Sequence, residues 1–229
     1  MPPVAARSRE PNQRELAAAG ARTRILAAAA DRIVQDGLAK VRMAGIAKAA
    51  GVSAGLLHYH FDTKEQLFAD VLGYSHDVAT GLNREAMARA GDEPALRLSS
   101  FLDRCLPSDE RLAHEWLLWQ ELALLCIRQP ELARVGAEVY EDLYETITDL
   151  VVEGTAAGVF QPAFEARAVA ETAVALCDGL GARVLANDPR MDLRQARSTI
   201  AATMGVLVGH AGPLPVPNQA SGRRRDDRP

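Results

Sequence analysis

Apolar residues recur along this chain at intervals of three and four rather than two. Ile25, Ala29 and Ile33, with Leu26 and Val34 alongside, form a stripe that stops at Gly37 and predicts a first helix. A short set, Met43, Ile46, Ala47 and Ala50, stops at Gly51, and a second short helix is expected from Ser53, with Val52, Leu56, Leu57 and Phe61 as its apolar positions. A long amphipathic segment runs from Asp62 through Leu67, Phe68, Val71, Leu72, Ser75, Val78 and Leu82 towards Arg89; Asp62 and Glu65 have capping-box spacing at its start. After the break "AGDEP", the same periodicity predicts helices over about 94–105, 109–128, 131–157, 166–186 and 192–208, separated by Gly158, Pro162 and Asp188-Pro189. No alternation typical of a strand is sustained, and neither an internal repeat nor a heptad seam is visible. The expected fold is all-α.

The two ends of the chain break this pattern. Residues 1–18 and 211–229 are rich in Pro, Gly and charge without apolar periodicity, and both read as disordered tails. The remainder divides at the start of the long helix, into a unit over 19–66 and a larger one over 67–210.

Composition changes the picture in two respects. With 229 residues, 48% of them hydrophobic and only 5% aromatic, the chain can bury a substantial helical core. Cys105, Cys126 and Cys177 are odd in number, far apart and set among apolar residues, which favours reduced core thiols over a disulfide frame or a zinc site. No apolar run is long enough to span a membrane and no signal core precedes the first helix, so a cytoplasmic protein with no membrane partner is expected. The net charge of −4 conceals an asymmetry: residues 1–75 hold 10 Lys/Arg against 7 Asp/Glu, and residues 76–229 hold 16 against 23. The basic end contains the motif of greatest interest.

That motif is "HYHF", His58 to Phe61. Two histidines two apart can chelate a metal on a strand, but on a helix they are separated by about 200° and point to opposite sides, so no metal site is assigned. A short helix, a glycine turn and a second short helix over 43–60 form instead a helix-turn-helix, whose second helix can enter a major groove. Ala47, Val52 and Leu57 would lock the two helices together, leaving Ser53, Ala54, Gly55, His58 and Tyr59 to face outward. Side chains on both flanks of a helix lying in a groove reach different phosphates, and imidazole N–H and phenol O–H are suitable donors. The alternative is that His60 packs beside Phe61 and His58 is merely solvated.

The run "VRMAGIAKAAGVSAGLLHYHFDTKEQLF", Val41 to Phe68, preceded by "TRILAAAADRIVQDGL", resembles the DNA-binding signature of TetR-family transcriptional regulators. The resemblance implies a DNA-binding domain over 19–66, a ligand-binding and dimerisation domain over 67–210, and contacts to a double-stranded palindromic operator from Arg42, Ser53, Ala54, Gly55, His58, Tyr59, His60 and Lys64. Three positions depart from the usual pattern: His58 stands where a tyrosine is common, Arg42 where a threonine often caps, and Ala54 where a longer polar residue frequently reads a base. The last change shifts specificity towards the close backbone approach at Gly55, Arg42 and DNA shape.

Further on, "ELARVGAEVYEDLYETITDLVVEGTAAGVF" and "AVAETAVALCDGLGARVLAND" are similar to the BetI-type ligand-binding half, implying a homodimer released from its operator, as a repressor, by a small molecule. Trp116 and Trp119 lie three apart on one helical face with Glu115 and Glu121 beside them. Such a pair serves either as core or as an aromatic wall. Asp178 lies on a mostly apolar helix, where it pairs with a group such as Arg183, bonds across an interface, or faces a pocket. Aromatic rings with carboxylates suit a cationic or amphipathic effector, and an apolar one is the competing view. A helical enzyme or carrier without DNA binding is the rival function. Against it, the chain has no Gly-rich phosphate loop and no HExxH, so no catalytic residue and no cofactor are assigned.

Overall fold

The computed structural model describes residues 13–216, which form nine helices and no strand. In chain order they are α1 (Gln13–Asp36), α2 (Met43–Ala49), α3 (Ala54–His60), α4 (Lys64–Arg89), α5 (Pro94–Arg104), α6 (Glu110–Arg128), α7 (Pro130–Ala156), α8 (Ala166–Leu185) and α9 (Leu193–Leu207). The all-α expectation and the order of the helices hold. Residues 1–12 and 217–229, most of the two expected tails, lie outside the described residues.

Two apolar cores organise the chain. The first gathers Ile25, Ala29 and Ile33 of α1, Ile46 of α2, Leu57 of α3, Phe61, and Leu67, Phe68 and Val71 of α4. Full burial of such side chains stabilises by roughly 1.5–3 kcal/mol each, which is how two helices of seven residues persist at all. Between them Gly51 has φ +65°, a left-handed conformation that a β-carbon disfavours. Ala47 and Leu57 are buried as expected, and Val52 is half-buried.

The second core is built from α5, α7, α8 and α9 around Phe101, Leu102, Ile147, Phe160, Ala173, Cys177 and Met204. Helix α6 belongs to neither alone. Its Leu118 and Leu122 are buried in the first core, while α6 also packs along α7.

Three local expectations are corrected. The cap of α4 is Thr63, one residue after Asp62: its Oγ1 accepts the Gln66 N–H at 3.1 Å, and Gln66 Oε1 in turn accepts the Asp62 N–H at 3.1 Å. Helix α1 begins at Gln13, inside the stretch read as a tail. Residues 211–216 are packed rather than loose: Leu214 is buried and its N–H donates to the Ala201 carbonyl at 2.9 Å, while the Ser99 hydroxyl donates to the Pro215 carbonyl. This return path requires Gly205, where a β-carbon would lie 2.3 Å from the Gly212 carbonyl oxygen. Periodicity could not register it, because a single apolar residue anchors the segment.

Candidate DNA interface and effector cavity

Helix α3 is held by its cap and its buried side. Ser53 Oγ accepts the Leu56 N–H at 3.1 Å, so this hydroxyl is already engaged in starting the helix. Leu57 and Phe61 bury the inner side, leaving Ala54, Gly55, His58 and Tyr59 exposed, with Tyr59 78% accessible despite its large ring. Gly55 costs helix stability relative to alanine, yet a β-carbon there would meet nothing within the chain nearer than Ser53 Oγ at 3.9 Å. The space that Gly55 keeps free is therefore outside the protein.

The remaining predicted contacts surround α3. Arg42 is exposed just before α2 and makes no capping bond. The His60 ring packs edge-on to Tyr59, with centroids 5.2 Å apart, and against Phe61 at 6.2 Å; its Nε2 is buried with no hydrogen-bond partner among the described residues. His58 and His60 thus occupy different surroundings, and among the described residues no three potential metal ligands converge. Lys64 is half-buried, its Nζ 3.5 Å from the Leu38 carbonyl oxygen and 5.2 Å from the Phe68 ring centroid. With three N–H donors, its ammonium can keep the Leu38 carbonyl and still offer a donor to a phosphate.

Above this head, α4, α5, α6, α7 and α8 enclose a cavity of about 810 Å³. Trp116, Trp119, Glu115 and Asp178 all line it; Glu121 does not. Trp116 also lies against α8, where a β-carbon on Gly181 would come within 2.4 Å of the indole, so this glycine is what lets the ring in. Glu115 Oε2 accepts the Ser75 hydroxyl at 2.6 Å. Asp178 does not pair with Arg183, which bonds Asp188 instead. It faces the cavity and accepts the Tyr140 hydroxyl at 3.1 Å. Burial pushes the Asp178 carboxyl above its ordinary pKa, with the Tyr140 bond opposing. Burial, and then the Asp178 charge, push the Tyr140 phenol up to about 12.

Sequence reasoning missed Tyr140 and the His76–Asp142 pair, 2.7 Å apart, which joins α4 to α7 in the cavity wall. These partners are 38 and 66 residues apart, and no local spacing reveals them. Cys105 and Cys126 were expected in the core but line the cavity, whereas Cys177 is buried; all three thiols are free.

Helix α6 links the cavity to the head. On one side it carries Trp116, Trp119 and Ala123 into the cavity. On another, Glu121 Oε2 accepts the Leu38 N–H at 3.0 Å, just after Gly37 ends α1, and His114 Nε2 lies 3.3 Å from Asp31 Oδ1.

A family model described as bacterial regulatory proteins, tetR family, matches residues 25–71, and one described as BetI-type transcriptional repressor, C-terminal, matches residues 94–208. The HTH-type transcriptional regulator BetI of Ectopseudomonas mendocina (strain ymp) is 26% identical over 182 residues, covering 77% of this chain and 87% of that protein. The repressor KstR2 of Rhodococcus jostii is 37% identical over 76 residues, 33% of this chain and 37% of its own. Among solved structures, a TetR-family transcriptional regulator from Rhodococcus sp. superposes with a TM-score of 0.74 at 28% identity, covering 83% of this chain and 99% of the other. A regulator from Saccharomonospora viridis, crystallised in complex with choline, gives 0.72 at 27% identity, covering 80% and 94%.

Proposed function

We propose a mechanism from the premise that this chain belongs to the TetR family of bacterial regulators, with a BetI-type C-terminal half. It is a ligand-responsive DNA-binding transcriptional regulator of the repressor type, in a family of regulators rather than enzymes. Among the described residues no helix is long and apolar enough to cross a membrane.

In our reading, α3 lies in the major groove. Gly55 lets the DNA backbone come close, Arg42, His58, Tyr59 and His60 donate to phosphates, and Ala54 and Ser53 face the groove. Two copies would pair through the outer face of α8 and α9, where Ala175, Gly179, Ala202 and Val206 are exposed, Val206 at 81%. Leu180, on the other side of α8, is 8% exposed and belongs to the protomer's own core. Two-fold symmetry would then present two heads to a palindromic operator.

The effector we assign to the cavity carries a cationic group. Trp116, Trp119 and Tyr140 offer ring faces, and Glu115, Asp142 and Asp178 offer negative charge. The choline bound by the S. viridis regulator is a cation of this class.

The observation that carries the mechanism is the double duty of α6, which lines the cavity with Trp116 and Trp119 and holds the α1–α2 loop through Glu121. A ligand that favours one arrangement of α6 shifts the loop, and with it the spacing of the two heads. The test is a competition: operator DNA bound to the protein is titrated with choline while tryptophan fluorescence is followed. Quenching together with DNA release supports the reading. Saturable quenching that leaves the DNA bound would refute the coupling.

A further inference from the structure

We propose that the part of the cavity lined by Arg84, Arg104 and Arg111 binds an anionic oxygen group, a carboxylate or a phosphate, carried by the effector. The inference rests on the reading of this cavity as the effector site.

Three arginines line one cavity, from three different helices: the exposed Arg84 from α4, the half-buried Arg104 from the end of α5, and the exposed Arg111 from the first turn of α6. None has a carboxylate within 4 Å among the described residues, although ten other arginines here do: Arg22, Arg32, Arg89, Arg97, Arg134, Arg167, Arg183, Arg190, Arg194 and Arg197. Glu145 and Asp149 share the lining, and neither forms an ion pair with any of the three. Ion pairing is thus the habit of the arginines whose side chains are described; Arg24 and Arg42, outside the cavity, are the other exceptions.

Arg104 is the central member. It is half-buried, and its one hydrogen bond among the described residues is from Nε to Asn83 Oδ1 at 2.5 Å, which holds the group and leaves both terminal nitrogens available. Burial, and then the Arg111 charge, push its pKa below the ordinary value, so the two cations sit closer than their charges favour; Asp109 opposes this. Arg111 lies two residues after the α6 cap, Asp109, where the helix dipole disfavours a cation. A half-buried arginine beside a second cation, with no carboxylate in ion-pair contact among the described residues, is relieved when a ligand supplies the anion. The planar fork of a guanidinium binds a carboxylate or phosphate through two parallel hydrogen bonds. An effector that satisfies this region and the aromatic wall bears opposite charges at its two ends, joined by an apolar stem.

The full-length chain would be titrated calorimetrically with four probes: choline, phosphocholine, 4-(trimethylammonio)butanoate and butanoate. At least one of the two zwitterions should bind more tightly than choline by about tenfold or more, the usual scale of a charge-assisted bidentate contact. A preference for phosphocholine assigns the region to phosphate, and one for the butanoate zwitterion assigns it to carboxylate. Arg104→Gln, which can keep the Asn83 contact, should abolish the advantage while leaving choline affinity unchanged. The exposed Arg111→Gln should reduce the advantage in a protein whose circular dichroism is unaltered. Butanoate binding that depends on Arg104, with no binding of choline, would support this inference and reject the cationic reading of the aromatic wall. Equal affinity for choline and both zwitterions, an advantage that survives both substitutions, or no binding by any probe would overturn it.

Discussion

The Glu121 carboxylate on α6 accepts the backbone N–H of Leu38, 83 residues earlier, at 3.0 Å. Leu38 opens the loop between α1 and α2, so this bond joins the ligand half to the base of the helix-turn-helix. Its carbonyl receives Lys64 Nζ at 3.5 Å, from the start of α4. One peptide segment therefore meets both helices that lead from the cavity to the head.

Replacing Glu121 with Leu leaves the part-buried Leu38 N–H without its partner, at a cost of about 1 kcal/mol. Denaturant unfolding should detect that loss. Operator binding should survive in part, but the change in operator affinity caused by an effector should shrink. An unaltered effector response in this variant would remove the bond from the coupling route.

Lys64→Ala should weaken binding to cognate and random DNA alike and lower the slope of log K against log salt by about 0.9 if one phosphate contact is lost. Fluorescence anisotropy over a salt series measures it. An unchanged slope would mean that the ammonium stays with Leu38 and Phe68 when DNA is bound.

Much of the head was legible because its logic is local. Ile25 to Ile33, the stop at Gly51 and the cap at Ser53 are spacings within one or two turns, and the helices formed where those spacings fell. The cavity was only half legible. Trp116 and Trp119 could be placed on one face of α6, but nothing in the spacing distinguishes Glu115, which lines the cavity, from Glu121, which turns to the Leu38 amide. That depends on which neighbour each side of α6 meets. Tyr140 with Asp178, and the unpaired Arg104, became visible only when α4, α5, α7 and α8 were brought together.

Val206→Glu should yield a folded, helical monomer in light scattering, with operator affinity greatly reduced, because the side chain is exposed on the proposed pairing face. Leu180→Glu should instead unfold the C-terminal half, as it buries a charge in the core. A dimer that tolerates Val206→Glu would locate the interface elsewhere.

The half-buried Asp178 carboxyl has a raised pKa, so its ionisation at neutral pH opposes folding of the ligand-free protein. Its favourable contribution is fully present below the unfolded pKa and is lost as pH rises through the raised, folded value. Asp178→Asn should therefore raise the melting temperature at pH 7, with the gain disappearing below about pH 3.9, the ordinary Asp value. It should also weaken binding of a cationic ligand. A melting temperature lowered at pH 7 would show that the Tyr140 bond outweighs desolvation.

The central claim is that α3 reads a two-fold symmetric DNA site. Repeated selection of bound duplexes from a random-sequence library by the full-length protein, at fixed physiological salt, measures this without knowledge of the effector or the regulated genes. The account predicts enrichment of one palindrome whose half-sites are centred about one helical turn, or a multiple of it, apart, and no such enrichment with Gly55→Arg. Recovery of sequences with no shared site, or of the same palindrome by both proteins, would contradict it.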